Sequence, residues 1–512
     1  YAVSTMIPVM LIAIGVADGI HLFHHLHHFK ATHKNADRAT AVAYLMNGMW
    51  KPVVITSLTT AVGFISLLTS EVYPIKYFGV FTAFGVLVAM ILSLFLIPAF
   101  IMVFGIHEPK EESKRTFGGG FRNLQGKILV ESSEWGVRNP WKMSVLIALI
   151  VVGAALGISK VWINSSFLDN FEKESDIVKT DAFVNNHFGG TSTINVILTS
   201  EQEDALKNPQ VLRLIDQMQK DAVNRSEFIG SSFSLADYIR RMNFSMNTDQ
   251  LEYDKIPDSI DLIAQYLLLY EMSGDPENLW KVVDGQYKTA NVTLQLKSDN
   301  SKAGREAMGI IESYRSEFKK LGFELSYAGS GYKALVFSGL ILEGQIKSLL
   351  LSFVIVAGLL ALMFRSMLAG LIGTVPILLT AAISFGLMGW FNIALNTTTA
   401  LLSSIAIGIG IDYAVHFLEQ YKIGIKQGLN AEQAGMYVIQ ASGQAIFDNA
   451  LVIISGFLVL LFSVFPPNRT LGTLVSLNML LSFVATITVM YALLRNVRLF
   501  TNKNKGDSYA RE

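Results

Sequence analysis

Long runs of apolar residues, separated by shorter polar segments, dominate both ends of the chain. A transmembrane helix needs about 20 mainly apolar residues, and nine segments of the 512-residue sequence meet that requirement. All nine are expected to be helices, because lipid offers backbone groups no other hydrogen-bond partner. The predicted spans are residues 2–23, 53–70, 79–104, 143–163, 347–364, 369–391, 397–418, 446–465 and 472–494.

Basic residues are distributed unevenly between the loops on the two sides of these spans. The segments on one side contain 19 lysines and arginines, and seven of these lie between residues 105 and 142. The short loops on the other side contain only Lys76 and Arg469. The positive-inside rule therefore predicts that the first side, with the C-terminal tail at 495–512, is cytoplasmic.

The long polar segment at 164–346 is predicted to be an extracytoplasmic α/β domain. STINVILTS (192–200) and NVTLQLKS (291–298) have the apolar pattern of strands, and residues 300–322 have helical periodicity. Strands that alternate with helices favour βαβ-type units on a sheet. Residues 105–142, with three glycines at 118–120, are predicted to be a cytoplasmic linker with an interfacial helix near 121–135.

Composition agrees with a membrane protein. The sequence is 51% hydrophobic and 16% charged, with a mean hydropathy of +0.41. It contains no cysteine, which excludes disulfides and thiolate metal sites, and its formal net charge of zero gives no support for a nucleic-acid partner. Because the chain opens at Tyr1 inside an apolar run, we interpret it as a fragment.

Two parts of the sequence form an internal repeat. TSLTTAVGFISLLTSEVYPIKYFG (56–79) matches NALVIISGFLVLLFSVFPPNRTLG (449–472) at a shift of 393 residues, and GVADGIH (15–21) matches GIGIDYAVH (408–416). The second copy lies six spans after the first, an even number, so the repeat is parallel. We therefore expect residues 1–104 to be the last three helices of a first repeat, 143–163 to open the second, and 347–494 to complete it with five helices. About 250 residues would precede Tyr1, giving twelve spans in all.

These features resemble the resistance-nodulation-division (RND) superfamily, and more closely its MMPL-like branch of exporters. The matching segments are GIGIDYAVHFLEQY (408–421), TSLTTAVGF (56–64), NHFGGTSTINVIL (186–198) and LMFRSMLAGLIGTVPI (362–377). The resemblance implies that intramembrane carboxylates couple proton entry to export of a lipid or other hydrophobic molecule. Carried over to this chain, they are Asp18 and Asp412, with Tyr413 beside the second. Gly19 stands where many members have a second tyrosine, so a symmetric pair of tyrosines is not expected.

The two aspartates are the main candidates for a proton relay. A charged carboxylate at the bilayer centre costs roughly 2.5–3.5 kcal/mol even on a lenient scale, so chance placement is disfavoured. The alternative is that neighbouring helices satisfy both carboxylates and that the pair only fixes helix packing. Tyr413 either hydrogen-bonds the Asp412 carboxylate or only packs. Close helix approach at the relay is assigned to the small residues Gly15, Gly408 and Gly410.

Several polar residues near the aspartates are weaker candidates for a functional role. His21 and His416 follow the aspartates by about one turn and either pass protons onward or are polar residues near the interface. His21, His24, His25 and His28 share helical spacing, but no carboxylate or cysteine joins them within the run, so a solvated helix end is favoured over a metal site. Second-tier candidates are Thr56, Asp448 and Asn449, although Thr56, Thr59 and Thr60 are expected to bond to their own helix.

The leading hypothesis is a proton-driven exporter in a bacterial or archaeal cytoplasmic membrane. No G-x-x-x-x-G-K-[ST] loop and no catalytic constellation is found, so an ATPase or other enzyme is not expected, and no cofactor beyond the coupling ion is implied. The alternatives are a lipid-sensing, receptor-like protein of the Patched type and a SecDF-type translocation accessory. A periplasmic carrier protein and a homo-oligomer stay open as partners, and the substrate and the choice between H⁺ and Na⁺ stay undetermined.

Overall fold

The chain separates into two compact units. The computed structural model describes residues 2–33, 36–105, 139–273, 275–497 and 499–500. One unit, here called the helical bundle, comprises residues 1–162 and 340–512, and the other, the sheet domain, comprises residues 163–339. Most of the predicted linker, its interfacial helix at 121–135 and the tail beyond residue 500 lie outside the described residues.

Four long helices form the first part of the bundle. A 3-10 helix at Ala2–Met6 leads into α1 (Ile7–Thr32), which α2 (Arg38–Ile65), α3 (Tyr73–Phe104) and α4 (Pro140–Ile158) follow. Asp37 caps α2 by accepting a hydrogen bond from the Thr40 amide at 3.2 Å, which satisfies one of the orphan donors of the first turn. A 3-10 turn at Ser66–Thr69 ends α2.

The sheet domain has four strands with helices between them. Its elements are α5 (Asp176–His187), β1 (Ser192–Thr199), α6 (Pro209–Arg225), β2 (Ile229–Phe233), α7 (Leu235–Met246), α8 (Ile260–Ser273), α9 (Pro276–Leu279), β3 (Thr289–Leu296), α10 (Ser301–Ser313), α11 (Arg315–Lys320) and β4 (Glu324–Ala328). The strand order is β2-β3-β1-β4, and every neighbouring pair is antiparallel. β1 and β2 are joined by a helix but do not pair with each other, and the same is true of β3 and β4, which is the split βαβ arrangement of ferredoxin-like domains.

The core of the sheet domain follows from the period of two along its central strands. Ile194, Val196 and Leu198 on β1 are fully buried, as are the alternate apolar residues of β3. This face packs against α6, where Leu212, Ile215 and other apolar residues are spaced by helical turns. The predicted strands at 192–200 and 291–298 are therefore both present, and the expected βαβ units occur in the split form.

The second part of the bundle contains five further membrane-length segments. They are α12 (Ser330–Phe364), α13 (Met367–Trp390), α14 (Leu401–Lys426), α15 (Ala431–Leu458) and α16 (Pro466–Ala485), the last continued by a π-helical turn at Thr486–Met490 and by α17 (Tyr491–Asn496). Within the described residues, nine segments are long and apolar enough to cross a membrane. The predicted polytopic helical fold with a separate sheet domain is thus confirmed.

Several helices begin well before the predicted spans. α2 starts at Arg38 and not at 53, α15 at Ala431 and not at 446, and α12 at Ser330 and not at 347. The first turns of these helices are polar and fall outside the apolar runs that define a span. A capping box between Asn430 and Gln433 fixes the start of α15 in this way.

One part of the internal repeat has matching local geometry in both copies. A Cβ atom added at Gly79 would lie 2.5 Å from the Phe64 carbonyl oxygen and 2.9 Å from the Leu67 Cβ. At Gly472 the corresponding distances, to Phe457 and Leu460, are 2.6 and 2.9 Å. Both glycines thus permit the same close approach after the same 3-10 turn. The repeat over the other spans stays a prediction.

The helix α14 lies at the centre of the bundle. All residues in its apolar window are buried, whereas the windows of α3 and α4 are each only 17% buried. At mid-length it crosses α2 at close range, because a Cβ at Gly63 would lie 3.2 Å from the Cα of Gly408. A glycine therefore stands on each side of this crossing, which lets the two backbones approach.

We expect Gly63→Leu to destabilise the bundle by overpacking this crossing. Added side-chain volume in a tight core typically costs about 1–3 kcal/mol, and the facing atoms belong to the backbone of α14, so they cannot rotate away. Gly358→Leu is the matched control, since nothing lies within 4 Å of a Cβ at that position. Thermal unfolding of the purified protein in detergent should show a lower midpoint for Gly63→Leu alone. Equal midpoints would contradict the tight crossing.

Candidate functional site: a buried carboxylate and histidine cluster

Asp18 on α1 and Asp412 on α14 are both buried in the bundle. Each has a relative exposure of 6%. The Ser57 hydroxyl of α2 faces the Asp18 carboxyl group. The Oδ2 atom of Asp18 and the Oδ1 atom of Asp412 have no hydrogen-bond partner among the described residues. Unsatisfied buried polar atoms are rare in folded proteins and call for an explanation, which a transferable proton would supply.

The two aspartate-bearing helices meet through a pair of histidines. The rings of His21 and His416 stack with their centroids 3.8 Å apart and their planes 20° apart. His21 follows Asp18 by three residues and His416 follows Asp412 by four, so each aspartate lies about one helical turn, roughly 5 Å along the axis, from the stack. The structure therefore brings together Asp18, Asp412, His21 and His416 as one buried cluster.

Two residues of α15 extend this cluster along α1. The fully buried Asn449 places its Nδ2 atom 2.8 Å from His21 Nε2. The preceding residue, Asp448, places its Oδ2 atom 3.1 Å from His24 Nε2. The side chains of Asp448 and His24 are each about one-third exposed. Both second-tier residues of α15 thus contact histidines of α1, a pairing that the repeat alone does not reveal.

Gly408 and Gly410 both lie at close helix contacts, as their assigned role requires. The Thr60 hydroxyl donates to the Gly408 carbonyl at 2.5 Å, and the Ser482 hydroxyl donates to the Gly410 carbonyl at 3.2 Å. Gly15 differs, because a Cβ there would only reach ordinary contact with Ala89 at 3.9 Å. The expectation for Gly15 was wrong because the nearest approach to α15 lies two residues earlier on α1, where a Cβ at Gly456 would be 3.2 Å from Ala13.

Tyr413 packs and does not reach the aspartate beside it. Its hydroxyl has no hydrogen-bond partner among the described residues, and its ring meets Phe483 edge-on at 6.5 Å. Successive helical residues point about 100° apart, so Tyr413 and Asp412 face different neighbours. Of the two alternatives for Tyr413, the structure shows packing, and a role in proton transfer is not supported.

The threonines of α2 bond to their own helix, as expected. The Thr56 hydroxyl donates to the carbonyls of Pro52 and Val53 at 3.0 and 3.1 Å, and Thr59 and Thr60 form equivalent bonds. Thr60 differs only in its additional bond to Gly408. Sequence reasoning missed Ser57, although it lies inside the same polar run and its position one residue after Thr56 turns it toward a different neighbour.

The histidine run does not converge on one point. His24 reaches Asp448, whereas the His25 ring stacks on Tyr44 of α2 at 4.9 Å. Among the described residues, no group of three or more His, Asp or Glu side chains could hold a metal ion. The side chain of His28 lies outside the described residues.

A second concave site lies in the sheet domain. A cleft of about 510 Å³ is formed by apolar residues and by the carboxylates of three aspartates; its lining includes Leu168, Ile177, Val184, Asp176, Asp181 and Asp299. Asp299 accepts hydrogen bonds from the Ser166 hydroxyl at 2.7 Å and the Phe167 amide at 2.8 Å. Burial and the nearby Asp299 carboxylate raise the pKa of Asp169, against the lowering effect of the bond from Asn164.

A bundle of membrane-length helices around a buried carboxylate pair, with a split βαβ domain placed between two of the spans, defines a membrane transporter of the RND kind. The model of the MMPL family matches residues 1–133 and 171–502. The chain therefore belongs to the MMPL family. It is a multi-pass membrane protein, and the predicted resemblance to this branch is confirmed.

Three relatives illustrate the range of similarity. The "Putative membrane protein MJ1562" of Methanocaldococcus jannaschii is 23% identical over 392 residues, which are 75% of this chain and 98% of that protein. The "Putative membrane protein YdgH" of Bacillus subtilis is 25% identical over 175 residues, 33% of this chain and 20% of YdgH. The "Sulfolipid-1 exporter MmpL8" of Mycobacterium tuberculosis is 26% identical over 99 residues, 19% of this chain and 9% of the exporter.

We expect Asn449→Leu to destabilise the bundle more than Thr56→Val. The two positions correspond in the repeat, and both substitutions replace a polar side chain by an apolar one of similar size. Loss of the amide leaves the buried His21 imidazole unsatisfied, at a cost of about 1–3 kcal/mol. Loss of the Thr56 hydroxyl removes bonds only to carbonyls of its own helix. Unfolding of the protein in mixed micelles by added SDS provides the comparison, and equal losses would contradict the pairing of Asn449 with His21.

Proposed function

We propose that the protein couples proton movement through Asp18 and Asp412 to the export of a lipid or another hydrophobic molecule. The observation that supports this most strongly is the buried cluster, in which two carboxylates with unpaired oxygen atoms lie one turn from a histidine stack between their helices. Ionisable residues inside a membrane bundle are expensive and commonly mark proton pathways. Imidazoles beside carboxylates provide further groups that can accept and donate a proton.

A comparison of energies limits how protons can drive export. One charge that crosses 100 mV yields about 2.3 kcal/mol, whereas exposing an acyl chain to water costs about 0.8 kcal/mol per CH₂. A few protons therefore cannot expose a long chain to water. Protonation instead biases two states of a pathway that stays apolar throughout.

The cleft of the sheet domain is a candidate part of that pathway. Its volume of about 510 Å³ falls within the roughly 300–1,000 Å³ that is usual for ligand sites. The apolar side chains of Leu168, Ile177 and Val184 suit a hydrocarbon portion, and the carboxylates suit a polar portion. The relative MmpL8 is named as a sulfolipid-1 exporter, which supports a lipid-like substrate for this family member as well.

The proposed site of action is a bacterial or archaeal cytoplasmic membrane with the C-terminus in the cytoplasm. Support comes from the grouping of basic residues at one end of the bundle. Arg38 donates to the carbonyls of Met102 and Val103 at 3.1 and 3.2 Å, and the Lys422 ammonium lies 5.4 Å from the centre of the Phe500 ring. Loop ends with an excess of basic residues face the cytoplasm in most membrane proteins.

Proton flux into proteoliposomes that contain the full-length protein tests the proposal. Under an imposed pH gradient, we expect the wild type to show flux, and we expect Asp18→Asn and Asp412→Asn each to abolish it, because an amide cannot carry a proton. Asn retains the size and polarity of the carboxyl group, so folding can be checked by thermal unfolding. Liposomes without protein give the background. Flux that persists in both variants would exclude the relay and favour sodium coupling or a lipid-sensing role.

A further inference from the structure

We infer that protons travel between the buried cluster and the basic end of the bundle along one helix pair only, α1 with α15, through His24 and Asp448. The inference rests on the proposed proton coupling and goes beyond it, because the repeat by itself would give each aspartate an equivalent route. The structure supplies two observations: a graded series of polar contacts on this pair, and the loss of the same contacts on the equivalent pair, α2 with α14.

The series on α1 and α15 leads from buried to accessible side chains. His21 is 7% exposed and lies beside the fully buried Asn449, whereas the side chains of His24 and Asp448 are 34% and 33% exposed. His21 and His24 are three residues apart, so they lie on the same face of α1. A bridging water can span a step that is longer than a hydrogen bond. The end of the series therefore meets solvent where its beginning does not.

The chemistry of the last step is a proton transfer that leaves each group as it began. His24 takes up a proton at Nδ1 while its Nε2 proton passes across 3.1 Å to Asp448 Oδ2. The neutral Asp448 carboxyl then releases that proton to water and returns to carboxylate. The neutral His24 ring, now protonated at Nδ1, returns to its Nε2-protonated form by releasing that proton to water and taking up another at Nε2. The same steps in reverse carry a proton inward.

The equivalent helix pair lacks these groups. Asn449 corresponds to Thr56, whose hydroxyl bonds to its own helix, and Asp448 corresponds to Ile55, which cannot carry a proton. His24 follows His21 by three residues, and the residue that follows His416 by three is Glu419. Glu419 is also a carboxylate, but it interacts with the charges of Lys51 and Lys422, whereas Asp448 pairs with His24.

The helices of the equivalent pair, α2 and α14, also pack tightly where they cross. The Thr60 hydroxyl donates to the Gly408 carbonyl, and the backbones of α2 and α14 approach as closely as their glycines allow. A proton on Asp412 would therefore leave through the His416–His21 stack and then follow α1 and α15. Both aspartates would then use the same proton route to solvent, along α1 and α15, and the pair of α2 and α14 would provide no second route.

Proton flux in proteoliposomes with the full-length protein distinguishes this route from a merely structural ion pair. We expect His24→Gln and Asp448→Asn each to reduce flux by about tenfold or more, and Asp448→Glu to recover most of it. The matched control is Glu419→Gln, which should leave flux close to the wild-type value. Because both residues serve one route, the double variant His24→Gln/Asp448→Asn should lose no more than the worse single variant.

Three outcomes would overturn the inference. Wild-type flux in both His24→Gln and Asp448→Asn, under conditions where Asp18→Asn abolishes it, would exclude the route while the proposed coupling stands. An equal loss in Glu419→Gln would show that both helix pairs conduct. A packing role would be shown if Asp448→Glu does not recover flux and if His24→Gln, Asp448→Asn and Asp448→Glu all unfold at a lower temperature than the wild type. Flux that is insensitive to Asp18→Asn and Asp412→Asn would instead contradict the proposed function itself.

Discussion

The burial of two carboxylates among apolar helices is the constraint on which the rest of the bundle depends. Each carboxylate removed from water costs free energy unless neighbouring groups compensate for it or a proton neutralises it. The Ser57 hydroxyl of α2 faces Asp18, and each aspartate keeps one oxygen atom without a hydrogen bond among the described residues. The surrounding helices must pack tightly to exclude other solutions, and the small residues at Gly63 and Gly408 make that possible. A site that is incompletely satisfied in this way is well suited to exchange a proton.

The two aspartate-bearing helices cross their neighbours through similar glycine contacts but with different polar groups. α1 meets α15 near Ala13 and Gly456, and α2 meets α14 near Gly63 and Gly408. Gly63 and Gly456 match in the sequence repeat, whereas Ala13 lies two residues before Gly15, the match of Gly408. The polar groups along the two contacts have diverged, since Asn449 and Asp448 stand where the first copy has a self-bonded threonine and an isoleucine.

The fold was accessible from the sequence wherever a single physical requirement dominates. Apolar runs of membrane length can only be helices, so the nine spans were predictable, and the period of two identified β1 and β3. The starts of the helices were not predictable in this way. Polar first turns, such as the one capped by Asn430, depend on local hydrogen bonding and not on hydropathy. The strand order β2-β3-β1-β4 was also beyond reach, since alternation specifies which face of a strand is buried and not which strand lies beside it.

The sequence by itself predicted that Asp18, Asp412, His21 and His416 lie at similar depths in the membrane, because helical spacing and the sequence repeat indicate position along a helix axis. Only the tertiary structure decided which neighbours these residues meet. It placed Asn449 beside His21 and Asp448 beside His24, turned Tyr413 toward Phe483, and left Gly15 in ordinary contact with Ala89. The reason is that a helical pattern reports the angle of a side chain about its own axis. The identity of the helix that faces it depends on how all the helices pack together.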